Sequence, residues 1–287
     1  MERTFKLIFA GAAALAVVSV GTICLFLILE GAPAILRIGV VDFLAGTSWR
    51  PGEGVFGVLP MLAGSGAITL GAIVLGVPIG ILTAVFFAFF APRAVARIVH
   101  PAVTLMAGIP SVVYGFFGLM TIVPLVRSLL GGRGMCVLSA SILLAMMILP
   151  TVVLVAEAAL KAIPQTIYEG ALALGATHER SVFAAVLPAA RSGVLAAVIL
   201  GVGRAIGETM AVIMVAGNQP LIPTSLLKGV RTLTTNVVLE MGYAADLHRE
   251  ALIGTALVLF LLTLLVNGSF SLLKRKTGWL IDGPKRI

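Results

Sequence analysis

Six apolar segments dominate this chain and restrict its fold more than any other feature. They lie near Phe5–Leu29, Ala67–Phe90, Val103–Val126, Cys136–Leu160, Arg191–Ala216 and Ala251–Leu273. Each is long enough, at about 20 residues or more, to cross a hydrocarbon core of about 30 Å. Because lipid offers the backbone no hydrogen-bond partner, every crossing segment must be helical. The sequence therefore predicts an all-α polytopic membrane protein with six transmembrane helices.

The composition supports this prediction and argues against several classes of soluble protein. Of the 287 residues, 60% are hydrophobic and only 11% are charged, whereas about 25% of a typical soluble domain is charged. The formal net charge of +8 does not indicate nucleic acid as a partner, because no aromatic-basic pattern or nucleic-acid-binding motif accompanies it. We instead expect the basic residues to lie near anionic membrane lipid.

The distribution of lysine and arginine predicts the orientation of the chain. With the N-terminus in the cytoplasm, 12 of the 20 basic residues fall in the predicted cytoplasmic segments and seven in the outer ones. Cytoplasmic loops of membrane proteins carry such an excess. Because the number of spans is even, both termini are then cytoplasmic. We therefore expect one transmembrane domain over residues 1–287, with residues 161–190 forming a cytoplasmic loop.

This cytoplasmic loop is polar and has its own helical pattern. Pro164 ends the incoming helix, and a short helix containing Glu169 follows. Gly175 is expected to end that helix, because glycine readily adopts a positive φ. A second apolar stripe then leads to Leu187 and Pro188. The short helix could rest on the lipid surface, or it could be seated in a groove of a cytoplasmic partner protein.

Two ionisable residues, Arg204 and Glu208, lie about midway along the fifth predicted span. Their spacing predicts that they share one face of one helix. Since charged groups are costly inside a membrane, they either form a structural ion pair or line a polar translocation pathway, to which the hydroxyl of Thr209 could contribute. A guanidinium group suits a tetrahedral oxyanion. A carboxylate beside it would favour hydrogen phosphate, which has an O–H donor, over sulfate.

Small residues and prolines predict how the spans pack. Gly76 and Gly80 in the second span, and Gly203 and Gly207 in the fifth, are each four residues apart. This spacing is typical of helices that approach each other closely in membranes. Pro110 in the third span is expected to kink that helix, because proline removes a backbone donor.

Two outer loops, residues 31–66 and 217–250, are long for so compact a chain. Trp49, next to Arg50 and Pro51, is expected to be an aromatic anchor at the membrane interface. The alternative is that these loops form a docking surface for an external protein.

The sequence contains no signal for catalysis or for a bound metal. It has no G-x-x-x-x-G-K-[ST] motif, which would cradle nucleotide phosphates. Its three histidines lack the spacing of metal ligands, and Cys24 and Cys136 suggest neither a disulfide nor a metal site. We therefore expect a non-enzymatic chain without cofactors, and if ATP hydrolysis is involved, ATP-Mg must be bound by a partner ATPase.

The polar loop resembles the coupling loop of ABC importer permeases, whose pattern is E-A-A, three residues, G, nine residues, I-x-L-P. The spacing is the same here, although Gly170 replaces an alanine and Ala185 replaces the isoleucine. The resemblance implies the type I ABC importer permease fold and a loop that contacts the ATPase. The residues so implicated are Glu169, Gly170, Ala171, Gly175, Leu187 and Pro188.

Two further runs narrow the resemblance to the PstC family of phosphate permeases. These are Gly203–Val212 and Leu105–Gly115, and the first contains Arg204 and Glu208 at the positions of the family's charged pair. The resemblance implies a subunit in the cell inner (plasma) membrane of a bacterium or archaeon that translocates inorganic phosphate. It would pair with a PstA-like permease, a dimeric PstB-like ATPase and a PstS-like phosphate-binding protein. The alternatives are an ABC permease for molybdate, sulfate or phosphonate, and a secondary transporter driven by an ion gradient.

Overall fold

A computed structural model describes the backbone of residues 2–278 and the side chains of residues 5–269. This part of the chain is almost entirely helical. The long helices are α1 (Glu2–Ile38), α3 (Leu59–Val85), α4 (Arg93–Gly108), α7 (Val137–Lys161), α11 (Arg191–Gly207) and α14 (Asp246–Gly278). The short ones are α2 (Val40–Ala45), α5 (Ser111–Phe117), α6 (Val123–Leu130), α8 (Gln165–Ala173), α9 (His178–Ser181), α10 (Leu187–Ala189), α12 (Met210–Val215) and α13 (Leu233–Glu240).

Three π-helical segments, Phe86–Phe90, Gly118–Ile122 and Val182–Val186, continue or join these helices. The strands β1 (Trp49–Arg50) and β2 (Val55–Phe56) form one antiparallel hairpin. In the described part of the chain, five helices are long and apolar enough to cross a membrane, and a sixth span results if the pair 178–189 and 191–207, bent by 71°, is counted as one. This agrees with the predicted all-helical membrane fold.

The third span differs from the prediction of one helix over Val103–Val126. α4 ends at Gly108, Ile109 is extended, and a new helix begins at Ser111. Pro110 thus breaks the helix where a kink was predicted, since the residue before a proline is driven out of the α conformation. The apolar segment long enough to cross a membrane is Ser111–Leu130. α4 is a separate helix. Its residue His100 connects it to α7, because His100 Nε2 lies 3.1 Å from Oε2 of the buried Glu157.

The fifth span is also broken, although a continuous helix over Arg191–Ala216 was predicted. α11 ends at Gly207, Glu208 is extended with φ −69° and ψ 131°, and α12 begins at Met210. The first, second and last spans are longer than predicted, because α1 reaches Ile38, α3 begins at Leu59 and α14 begins at Asp246.

The predicted close approach of helices is correct for one glycine pair and wrong for the other. A Cβ atom on Gly80 would lie 2.8 Å from Val152 Cγ1, so α3 packs tightly against α7. Gly203 and Gly207, in contrast, have open space where a Cβ would be. Gly193 and Gly201 are the residues that let α11 approach α7, with Ala159 Cβ 2.4 Å and Val152 Cγ2 2.9 Å from the positions of their missing Cβ atoms.

The two predicted outer loops meet at one end of the bundle. A Cβ on Gly64 would lie 2.4 Å from the backbone oxygen of Arg231, and the hydroxyl of Ser65 accepts a hydrogen bond from Leu233 N at 3.0 Å. Trp49 is not the membrane anchor that was predicted. It is buried inside this outer assembly and donates from Nε1 to Glu240 Oε2 at 2.8 Å.

We predict that Gly64→Ala destabilises the protein by about 1–3 kcal/mol, because the added methyl group overpacks against a backbone carbonyl that cannot rotate away. Gly66→Ala is the matched control on the same helix, since a Cβ there meets nothing within 4 Å. Thermal unfolding of the purified protein in detergent measures both effects. Equal midpoints for the two variants would contradict the tight contact between α3 and the outer loop.

Candidate translocation site and coupling loop

Glu208 and Thr209 form the break between α11 and α12. Glu208 Oε1 accepts a hydrogen bond from Ala211 N at 3.1 Å, and Thr209 Oγ1 donates to Gly207 O at 3.2 Å. The carboxylate therefore satisfies one of the backbone N–H groups that a helix start leaves without an intrahelical partner. Because the helix ends at Gly207, the prediction that Arg204 and Glu208 share one face of one helix is wrong.

Arg204 lies in the last turn of α11 and is half-buried. Its Nη1 donates to Thr151 Oγ1 of α7 at 3.4 Å. Within the described residues the structure records no ion pair between Arg204 and Glu208. The interpretation that these two residues form a structural ion pair with each other is therefore not supported. A guanidinium group has five N–H donors, and a single long hydrogen bond leaves it able to bind an anion.

The break at Glu208 lies beside the break at Pro110. α5 and α12 pack so closely that a Cβ on Gly115 would lie 3.0 Å from Ala211 Cα. The hydroxyl of Tyr114 reaches back across the Pro110 break and donates to Met106 O at 2.9 Å. Irregular backbone at membrane depth is tolerated only where protein buries it or where it lines a water-filled cavity. Two adjacent helices with such breaks are therefore the strongest candidate for a pathway in this fold.

The cytoplasmic loop folds as its sequence predicts. α8 follows Pro164, and Gly175 ends it with φ +83°. Gly175 N donates to Leu172 O at 2.9 Å and Ala176 N donates to Ala171 O at 3.1 Å, the pair of bonds that defines a Schellman cap. Glu169, Gly170 and Pro188 are exposed, whereas Ala171 and Leu187 are half-buried.

The exposed side of this loop is partly apolar. The side chain of Leu174 is 91% exposed, and those of Ile167, Leu172 and Phe183 are also exposed. Apolar side chains exposed on one surface are typical of a protein or membrane interaction site. Both interpretations of the loop, contact with lipid and contact with a partner, remain compatible with this surface.

An aromatic cluster that the sequence did not reveal joins this loop to the end of the second span. Tyr168 of α8 and His178 of α9 are hydrogen-bonded, with 2.7 Å between Tyr168 Oη and His178 Nδ1. His178 also lies edge-on to Phe90 with 4.6 Å between ring centroids, and Tyr168 stacks on Phe89 at 6.2 Å. A movement of the loop would therefore be transmitted directly to the π-helical end of that span, Phe86–Phe90.

Glu240 organises a second cluster, which lies in the outer assembly and was also missed. Its carboxylate accepts hydrogen bonds from Trp49 Nε1 and, at 2.5 Å, from Arg231 Nη1, and it lies 2.9 Å from His248 Nε2. Burial raises the pKa of the Glu240 carboxyl, but the bonds from Trp49, His248 and Arg231 outweigh this effect and lower the pKa below its ordinary value. Trp49 lies far from the other three residues in the sequence, so no local pattern indicated the cluster.

We predict that the outer assembly loses stability in acid. Because the folded-state pKa of Glu240 is lowered, its contribution is present above its unfolded-state pKa of about 4.3 and is lost as the pH falls through the folded value. The fluorescence of Trp49 in a Trp279→Phe protein reports the change. Glu240→Gln should remove this transition, and an unchanged acid transition in that variant would assign it to other groups.

The comparisons with known proteins agree with this architecture. The family model described as binding-protein-dependent transport system inner membrane component matches residues 76–279. The probable ABC transporter permease protein YqgH of Bacillus subtilis is 36% identical over 250 residues, which are 85% of this chain and 81% of that protein. The phosphate transport system permease protein PstC of Xylella fastidiosa is 33% identical over 282 residues, which are 91% of this chain and 87% of that protein.

A solved structure supports the fold. One of the inward-facing structures of the methionine ABC transporter MetNI matches with a TM-score of 0.60 and 22% identity, and the match covers 80% of this chain and 99% of that one. The fold is thus that of an ABC importer permease. This chain belongs to the family of binding-protein-dependent transport system inner membrane components.

Proposed function

We propose that this chain is the permease subunit of an ATP-driven importer and that it translocates inorganic phosphate across the plasma membrane. The observation that carries the proposal is the half-buried guanidinium of Arg204, which lies four residues before the helix break at Glu208. It donates only to Thr151 among the recorded contacts of the described residues. The phosphate substrate is supported by relatives named phosphate transport system permease protein PstC, among them one of Xylella fastidiosa that is 33% identical to this chain.

Arg204 would bind phosphate through its planar N–H fork, which matches two oxygens of a tetrahedral anion. Glu208 would accept a hydrogen bond from the O–H group of hydrogen phosphate, and the hydroxyl of Thr209 would add a further contact. Sulfate lacks such a proton, so it would leave a carboxylate acceptor unpaired, which is costly in a desolvated site. Because Glu208 is not on the α11 helix, it can move relative to Arg204 when the break changes its conformation.

The loop at 164–188 would couple this site to a separate ATPase. Glu169, Gly170 and Pro188 are exposed there together with the apolar side chain of Leu174. A partner that binds this surface would move α8 and α9, and the Tyr168–His178 pair would pass the motion to the second span. In this scheme the chain has no nucleotide site of its own and performs no chemistry, and ATP-Mg is bound by the partner.

The complete importer would contain three kinds of partner. A PstA-like permease would complete the pathway, a PstB-like ATPase dimer would bind the cytoplasmic loops, and a PstS-like binding protein would deliver phosphate to the outer loops. The proposal of these partners is supported by relatives that are named as permease proteins of a phosphate transport system.

We predict that Arg204→Gln lowers ATP-dependent phosphate uptake by the reconstituted complex at least about tenfold, since losing a charge-assisted hydrogen bond costs about 1.5–3 kcal/mol. ATPase activity without phosphate should be preserved. Arg133→Gln, at an exposed position of an outer loop, is the matched control. Unchanged phosphate uptake in Arg204→Gln would overturn the role of Arg204. If excess molybdate or sulfate suppresses phosphate uptake as well as unlabelled phosphate does, phosphate is not the specific substrate.

We also predict that Gly175→Ala uncouples transport from ATP hydrolysis. Its φ of +83° would cost a residue with a side chain about 1–3 kcal/mol, so the loop would change its shape at the surface that meets the ATPase. Gly170→Ala is the comparison on the same loop, because it introduces the alanine of the family pattern at a position that lies inside α8 with open space around it. The ratio of phosphate transported to ATP hydrolysed should fall in Gly175→Ala only, and equal ratios would exclude a coupling role for the turn.

A further inference from the structure

The segment 230–234 runs back from the outer surface towards the break in the fifth span. Val230 N donates to Ala216 O at 2.9 Å, just beyond the outer end of α12. Thr234 Oγ1 donates to Glu208 O at 3.1 Å, at the inner end of the same helix. Since α12 has six residues, these two contacts are about 9 Å or more apart along its axis. The loop therefore re-enters the bundle, and α13 leads outward again from its deepest point.

The start of α13 is buried mainly through polar side chains. Of its five buried residues, only Leu233 is apolar, and the others are Thr234, Thr235, Asn236 and Glu240. A capping box between Thr232 and Thr235 satisfies its first backbone donors. Hydrogen bonds rather than extensive apolar contacts thus hold α13 in place. Such a polar network specifies one arrangement while it is complete and is lost once its bonds are broken.

Glu240 fixes the other end of α13 to the outer surface. It joins Trp49 of the β1–β2 hairpin, His248 at the start of α14, and Arg231 of the re-entrant segment. A cavity of about 410 Å³ opens beside it, with Tyr243 and His248 in its lining. A contact made on this outer face can therefore reach the Glu208 backbone through a single helix of eight residues.

We propose that Thr234 and Glu240 are positioning residues that hold α13 across the outer side of the Glu208 break and so keep the outer end of the pathway closed. This inference rests on the proposed function, because it takes Glu208 to line the pathway. Neither residue contacts the transported anion. Release of Glu240 from Trp49 and His248 frees α13, the bond from Thr234 to Glu208 is lost, and the break becomes accessible from outside.

The experiment measures access to the break from the outer side. In a Cys24→Ala, Cys136→Ala background, Gly207→Cys places one thiol next to Glu208, where a Cβ meets nothing within 4 Å. The assembled importer in intact cells is treated with a membrane-impermeant thiol reagent without phosphate. Thr234→Val removes the bond to Glu208 O and also the 2.9 Å bond between the hydroxyls of Thr232 and Thr234. It should raise the labelling rate at least about fivefold, as expected when at least one hydrogen bond is lost from a two-state equilibrium. Glu240→Gln should raise it at least as much.

Two comparisons separate this role from a purely structural one. Thr255→Val is the matched control, because Thr255 is also buried and its recorded hydrogen bond goes to Ala251 O of its own helix. Thr234→Ser keeps the hydroxyl and should restore slow labelling. Basal ATPase activity of the purified complex should rise in Thr234→Val and Glu240→Gln and stay unchanged in Thr255→Val. A variant with a merely weakened fold would lose assembly without gaining either activity or access.

Equal labelling rates in Thr234→Val and Thr255→Val would overturn the proposal. If Glu240→Gln fails to assemble, Trp49→Phe is the substitute, because it removes only the indole donor to Glu240 and keeps an aromatic ring. Slow labelling in Trp49→Phe would also count against the proposal. Labelling and basal ATPase activity do not depend on phosphate. Unchanged phosphate uptake in Arg204→Gln together with fast labelling in Thr234→Val would therefore reject the role of Arg204 in binding phosphate and retain the closure. Reduced uptake in Arg204→Gln together with slow labelling in Thr234→Val would retain that role and reject the closure.

Discussion

The requirement that every backbone polar group inside a bilayer finds a partner shapes this structure. A helix meets the requirement by itself, so a broken helix must recover its lost bonds from side chains or from other segments. At Glu208 the carboxylate supplies one acceptor and Thr234 supplies one donor. At Pro110 the Tyr114 hydroxyl donates to Met106 O. Both breaks are stable because the surrounding protein supplies hydrogen-bond partners for them.

The two ends of the molecule communicate with these breaks through different kinds of contact. On the cytoplasmic side, aromatic rings and the Tyr168–His178 hydrogen bond connect the coupling loop with the second span, which itself packs tightly on α7. α7 carries Thr151, the partner of Arg204. On the outer side, the hydrogen bonds of Glu240 and Thr234 connect the surface with the Glu208 break. Under the proposed function, such an arrangement would let ATP hydrolysis by a partner and binding on the outer side act on one site.

The sequence predicted the parts of the fold that local patterns determine. The lengths of the apolar segments indicated where the spans lie. The turn at Gly175 was predictable because glycine is the residue type that adopts its φ of +83° without strain. The helix breaks were harder to foresee. Glu208 follows a helix-compatible apolar run, and only its tertiary partners reveal that it leaves the helix. The Glu240 cluster could not be predicted because Trp49 lies 191 residues before Glu240 in the sequence and the members of the cluster follow no short motif.

The position of a bound anion in the assembled importer would test the central claim most directly. A structure of the complex trapped with arsenate, a tetrahedral analogue of phosphate, would locate the heavy atom in the membrane. If Arg204 binds the anion, the anion oxygens should lie within about 2.7–3.2 Å of the Arg204 guanidinium nitrogens, beside the break at Glu208. An anion that crosses the membrane elsewhere, with Arg204 still bonded only to Thr151, would contradict it.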